Sequence, residues 1–193
     1  MSNTSATGGY LAPTTPAPLD DDALDDFFAV LVCGITGLDR NLVRPRWQPE
    51  PPPEPAIGVN WCAIGVMDSE PDAGAWIRHR PAGDGSDDMQ RHETLNVLAS
   101  FYGPSASGNA ARLRDGLALP QNREVLQLSG MGFVENGRAV LLPDLVNQQW
   151  RRRVDLPMSF RRQVSRTYPV LNLLSAEGEI ATDPAASTNW TTE

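Results

Sequence analysis

Residues 149–164, QWRRRVDLPMSFRRQV, carry the alternation that decides the fold. Trp150, Val154, Leu156, Met158, Phe160 and Val164 share one parity, whereas Arg151, Arg153, Asp155, Ser159 and Arg161 share the other. Successive side chains of a β-strand point to opposite faces, so this spacing predicts one long strand with a core face and a charged face. Pro157 falls on the polar parity and has no N–H to donate, which predicts an edge strand or a bulge there.

Working outward, Leu95, Val97, Ala99 and Phe101 alternate with Asn96, Ser100 and Tyr102 and predict a central strand ended by Gly103-Pro104. Val59 to Met67 and Gly74 to Arg80 read as two more strands, turned by Pro71, Asp72 and Gly74. Met131 to Glu135 and Ala139 to Leu142 read as a hairpin joined by Asn136-Gly137. Leu24, Phe27, Phe28 and Leu31 have helical spacing behind Asp20, Asp21 and Asp22, which predicts a helix over 21–35 closed by Gly34 or Gly37. Ser105 or Ser107 can cap a helix carrying Ala110, Leu113 and Leu117, and Pro120 can open another that runs to Gly130. The grouping predicts an α+β fold: a single domain over 20–175, with a mostly antiparallel twisted sheet and helices packed on one face.

The ends read differently. Residues 1–19 are rich in Ser, Thr, Gly and Pro and cannot bury enough surface to offset ordering entropy, so they are expected to form a flexible N-terminal arm. Residues 176–193, small and polar around a lone Trp190, are expected to form a second, C-terminal arm. Between Pro49 and Pro55 the run PEPPPEP predicts an exposed polyproline spacer.

Composition narrows the function. No stretch approaches the roughly 20 apolar residues a membrane helix needs, so no membrane partner is expected, and the first residues have no basic start and apolar run of a secretory signal. Cys33 and Cys62 sit in apolar runs and read as reduced, buried thiols. The net charge of −8 argues against a general nucleic-acid binder. All 16 basic residues are arginine, suited to bidentate carboxylate pairing, although codon bias explains the same count equally well.

Chemistry-bearing constellations are sparse. His79 and His92 are flanked by Arg78, Arg80 and Arg91, cations that repel a metal ion. Residues 81–88 (PAGDGSDD) read as a flexible acidic loop; its Asp84, Asp87 and Asp88 lack the alternation and distal glutamate of a calcium loop. A metal-dependent nuclease built on these three aspartates and His92 is the enzyme rival, without ligand spacing to support it. There is no Gly-x-Ser-x-Gly elbow, and a chain without lysine cannot hold a Gly-x-x-x-x-Gly-Lys loop. No enzyme, no metal and no cofactor are expected. What stands out is a band of Arg151, Arg152, Arg153, Arg161, Arg162 and Arg166 against Asp155 alone, six positive charges minus one. Such a band can serve intersubunit ion pairing, DNA contact, or only a solvated strand face.

Several strings resemble those of phage neck-terminator and tail-completion proteins: Arg44-Pro-Arg-Trp-Gln-Pro49, Asn60-Trp-Cys62, Glu70-Pro-Asp-Ala-Gly74, Phe101-Tyr-Gly-Pro104, Arg114-Asp-Gly-Leu117, Gln121-Asn-Arg-Glu124, Leu145-Val-Asn-Gln-Gln-Trp150 and Arg161-Arg-Gln-Val-Ser-Arg-Thr-Tyr168. The resemblance spans about residues 40–175 and neither arm. It implies a structural virion protein of tail-terminator-like fold, assembled in the host cytoplasm as a homo-hexameric ring of the neck. The implied partners are further copies, the tail tube protein and a head-completion or adaptor protein, with the tail sheath added because such genes accompany contractile-sheath genes. Genomic DNA would pass through the lumen without specific binding. On that reading Arg151, Arg153, Arg161, Arg162 and Arg166 are expected at interfaces, and Asp84, Asp87 and Asp88 on a lumen loop that repels DNA. The alternative is a head-completion adaptor that contacts packaged DNA through the arginine band.

Overall fold

The computed structural model describes residues 3–182 and 186–192, and the chain divides into two compact units. The larger comprises residues 17–75 and 91–164; the smaller comprises residues 1–16, 76–90 and 165–193. Among the described residues the architecture is α+β, a mixed and mostly antiparallel seven-stranded sheet with three α-helices and two separate two-stranded hairpins.

In the larger unit helix α1 (Asp21–Thr36) carries two aspartates in its first turn, where the helix dipole favours them. It stops at Gly37, whose φ of 76° is left-handed and whose N–H reaches the Cys33 carbonyl at 2.9 Å. Strands β1 (Val43–Pro45) and β2 (Trp61–Pro71) pair parallel; β2 and β4 (Ser86–Tyr102) pair antiparallel. Helices α2 (Ala106–Leu117) and α3 (Pro120–Leu128) follow, the second opened by Pro120 in its first turn. Strands β5 (Met131–Asn136) and β6 (Val140–Leu141) both lie antiparallel on β9 (Arg153–Tyr168), and the sheet order is β1-β2-β4-β9-β5. All three helices contribute to one core on one sheet face, where Phe28, Leu113 and Leu126 meet Ile64, Phe101 and Phe160.

Three readings in and before the deciding stretch need correction. The strand expected from Gln149 to Val164 is broken at Arg152: β7 (Asp144–Val146) and β8 (Gln149–Arg151) form a separate hairpin, and β9 begins at Arg153. Asn147 and Gln148 take φ of 47° and 63°, the paired left-handed conformation of a tight two-residue hairpin turn. Trp150, assigned to the core, is therefore 71% exposed. Second, of the edge or bulge expected at Pro157 the edge is excluded, because β9 is an inner strand, while a register shift does lie nearby, on β5 between Phe133 and Glu135 opposite Phe160 and Ser159. The proline is accommodated because the neighbour on that side is interrupted: β5 pairs as far as Met158 and β6 resumes at Asp155. Third, Asn136-Gly137 is not a hairpin turn. Gly137 donates its N–H to the Pro157 carbonyl at 2.8 Å, and a Cβ there would meet the proline ring.

In the smaller unit β3 (Trp76–Arg80) pairs with the opening of β4, His79 opposite Asp87 and Arg78 opposite Asp88. The acidic loop is thus shorter than expected; Ser86, Asp87 and Asp88 are strand, and the turn rests on Gly83 and Gly85 with φ of 63° and 97°. The described part of the N-terminal segment is hydrogen-bonded to its own chain, Thr14 N–H to the Thr167 carbonyl at 2.8 Å and the Leu171 N–H to Ser5 Oγ at 2.7 Å. The C-terminal segment forms a hairpin of β10 (Ala176–Thr182) and β11 (Ala186–Thr192). The arms were expected over 1–19 and 176–193; residues 1, 2, 183–185 and 193 of them lie outside the described residues.

Candidate functional site

The arginine band separates into distinct environments because its members sit on different strands and parities; Arg152, between β8 and β9, is exposed and donates to the Pro104 carbonyl at 3.4 Å. Arg151, on β8, is 6% exposed rather than outward. Its guanidinium lies 4.7 Å from the Tyr102 ring centroid, with Trp61 and Tyr102 stacked 4.2 Å apart beneath. It pairs with Glu54 at 2.7 Å and Asp144 at 3.0 Å. Burial opposes its charge, but these two carboxylates outweigh that and raise its pKa.

Arg153 and Arg161 stand on the polar parity of β9, as the alternation predicts. Arg153 forks onto Asp155 with bonds of 2.8 and 2.7 Å. Burial pushes the Asp155 carboxyl up, yet hydrogen bonds from Arg153 and Ser100, with Arg46 nearby, hold it below the usual carboxylate range. Ser100 itself is fully buried and accepts from Arg46 at 2.7 Å. Farther along, Ser159 donates to Asn96 at 2.9 Å and Asn96 to Asp68 at 2.7 Å. Arg161 donates to Thr94 Oγ1 at 3.1 Å and pairs with Asp72, whose carboxyl that bond lowers. The expected charged face is thus a ladder of bonded polar side chains.

Arg162 sits on the core parity and is 6% exposed. It is tolerated there because carboxylates come to it: Asp20 at 2.9 Å and Glu93, with the Leu19 carbonyl as a further acceptor. Asp20 occupies the N-cap position of α1 but makes no capping bond, its oxygen being turned to Arg162 instead. Arg166 is half-buried and has no ion-pair partner among the described residues.

The three aspartates expected on a lumen loop are not alike. Asp87 pairs with His79 at 2.7 Å, and the other ring nitrogen of His79 meets Asn172 at 2.9 Å, contacts that raise the histidine pKa. Asp88 pairs with Arg80 and accepts from Thr167 at 2.9 Å. Asp84 alone is an exposed loop carboxylate. Among the described residues no three of His, Cys, Asp and Glu gather closely enough to hold a metal ion. Among the described residues no helix is long and apolar enough to cross a membrane. Burial pushes the Cys62 thiol pKa up.

Sequence reasoning missed Asp25, buried on α1, which accepts the Val66 N–H at 3.0 Å where β2 shifts register against β4. Burial raises its pKa. An aspartate on the inward side of an apolar helix was the available signal. It also missed the exposed apolar tip made by Leu145 and Trp150, directly opposite each other on β7 and β8.

A family model described as phage neck terminator protein matches residues 22–183. No curated protein matches the chain.

Proposed function

The chain belongs to the phage neck terminator family, and from that premise we propose that its copies close into a ring, terminate the tail tube and join the tail to the head-completion proteins. It is a structural protein of the bacteriophage neck. The observation that carries the reading is the extent of the match, residues 22–183, which takes in all three helices and the sheet.

The structure adds physical support for a mechanical part. Buried ion pairs and the polar ladder tie β2, β4, β8 and β9 to the segments around Glu54 and Asp72, which suits a subunit that must keep its shape under load. Among the five arginines expected at interfaces, Arg166 has no ion-pair partner among the described residues and can pair with another subunit, whereas Arg151, Arg153, Arg161 and Arg162 already face carboxylates of their own chain. That occupancy weighs against the DNA-adaptor alternative, which would have to rest on Arg152 and Arg166, the band members with no ion-pair partner among the described residues. The partners are further copies, six in the ring, the tail tube, the head-completion protein and the sheath. DNA would pass through the lumen unbound, with Asp84 the carboxylate available to face it, after assembly in the host cytoplasm.

Deleting the gene from the phage and imaging the lysate by electron microscopy tests the reading. Filled heads and separate tails, rejoined when the chain is supplied in trans, are expected. Intact virions formed without the chain would overturn it.

A further inference from the structure

Helix α1 has no basic residue and exposes Asp21 and Asp22, with Asp25 buried and Asp26 paired to Arg40, while Arg138 and Arg152, on either side of the β7–β8 hairpin in sequence, are exposed and have no ion-pair partner among the described residues. These oppositely charged regions lie on opposite sides of the central sheet. α1 and α3 pack through Phe28 and Leu126 into the core on the Phe101 side, whereas the β7–β8 hairpin lies over Tyr102, which leaves β4 on the other side.

Each region also exposes apolar surface. In the hairpin Asp144 and Arg151 pair on one side, so the alternation sends Leu145 and Trp150 to the other, where they are 61% and 71% exposed. Across the molecule Phe27, Val30, Leu31, Ile35 and Val125 border an open groove of about 320 Å³ between α1 and α3. Contiguous apolar surface of this kind is stabilised by being covered. A chain cannot reach its own groove with its own tip, because the sheet stands between them. A second copy can.

We infer that the Leu145–Trp150 tip of one copy seats in the α1–α3 groove of the next, with Arg138 and Arg152 of the first copy facing Asp21 and Asp22 of α1 in the second. Tip and groove are different surfaces, so the contact is head-to-tail and repeats around an assembly until rotation closes it. This contact rests on the ring reading above and supplies the surfaces that make the ring.

Two full-length variants test it, alone and with purified tail tubes, by light scattering and native mass spectrometry, with circular dichroism to follow the fold. Trp150→Glu places an acid on the tip, and Val30→Arg places a cation in the groove; both positions are exposed. Each variant is expected to self-associate at least on the order of a hundredfold more weakly than wild type, because a charge is buried without a partner. An equimolar mixture should recover association, since one intact tip and one intact groove remain. Variants that assemble like wild type overturn the contact, and so does a mixture that stays monomeric, which would give the two surfaces to other partners such as the tube protein. Wild-type chain that never self-associates, even on tubes, overturns the ring reading instead.

Discussion

Asp25 and Asp155 are both buried, one on each face of the central sheet, and their pKa values move in opposite directions. Asp25 lies on the helix side, where the surroundings are apolar and one backbone amide from Val66 is its hydrogen-bond donor; desolvation prevails and its pKa rises. Asp155 lies on the other side, where desolvation is opposed by the Arg153 fork, Ser100 and Arg46; the pairing prevails and its pKa falls. One face is therefore held by close packing and tolerates polar groups poorly, while the other is held by satisfied polar groups and depends on their partners.

The most damaging way to break this contrast is to remove volume from the packed face. Phe160 is fully buried, its ring 4.8 Å from Phe28 and 5.7 Å from Phe133. Phe160→Ala is expected to destabilise the chain by about 3–5 kcal/mol, through lost burial and the cavity left behind. Denaturant unfolding measures it, and a loss below about 1 kcal/mol would mean the site collapses freely, against a jigsaw-packed core.

Arg162 is the exception that sharpens the contrast, a cation on the packed face. Arg162→Ala leaves Asp20 and Glu93 facing each other's charge around a void, and a loss of roughly 3 kcal/mol is expected from breaking a buried pair. Arg162→Met, which fills the space without the charge, should recover part of that loss only if Asp20 or Glu93 is neutralised at the same time.

How much of this was legible follows from what alternation can and cannot report. The parity of Leu95, Val97, Ala99 and Phe101 identified buried strand positions because each side chain's own polarity decides its face. The same parity misplaced Trp150, because a two-residue turn at Asn147-Gln148 lacks the glycine that usually marks it, so the hairpin was read as continuous strand. It misplaced Arg151 as well, since the acids that bury it, Glu54 and Asp144, come from segments whose approach no local pattern encodes. Asn136-Gly137 failed for the reverse reason: the dipeptide allows a tight turn, but Pro157 on the neighbouring strand fixes Gly137 in a different task. The arginine band was visible as composition, and its division into buried, bonded and unpaired members was not.

Acid titration separates the two aspartates with smaller effects of opposite sign. Asp155 has a folded pKa below the unfolded value of about 3.9, so its contribution is fully present above that value and lost as pH falls through the folded pKa. Asp155→Asn should therefore lower the unfolding midpoint at neutral pH and converge with wild type in strong acid. Asp25 has a folded pKa above the unfolded value, so its charge opposes folding at neutral pH and the penalty disappears as pH falls through the folded pKa toward about 3.9. Asp25→Asn, which keeps an oxygen for the Val66 N–H, should raise the midpoint at neutral pH and lose that gain on acidification. Melting curves across this range check both, and a shared sign would remove the distinction between the faces.

The smallest effect is expected one residue from one of the largest. Arg161 follows Phe160 and precedes Arg162, but its pair with Asp72 is open to water, where Coulomb attraction is weak, salt screens it and two flexible side chains lose entropy in meeting. Arg161→Met is expected to leave the unfolding midpoint close to wild type, with any difference shrinking as salt is raised; Arg162→Met should shift it well outside error at every salt concentration. Because Arg161 shares its face with Asp155, equal losses at 161 and 162 would show that the whole polar ladder, including its exposed end, is coupled as one unit. Unequal losses would confine that coupling to the covered part around Ser100 and Asp155, leaving Arg161→Glu as a change that can probe ring assembly without disturbing the fold.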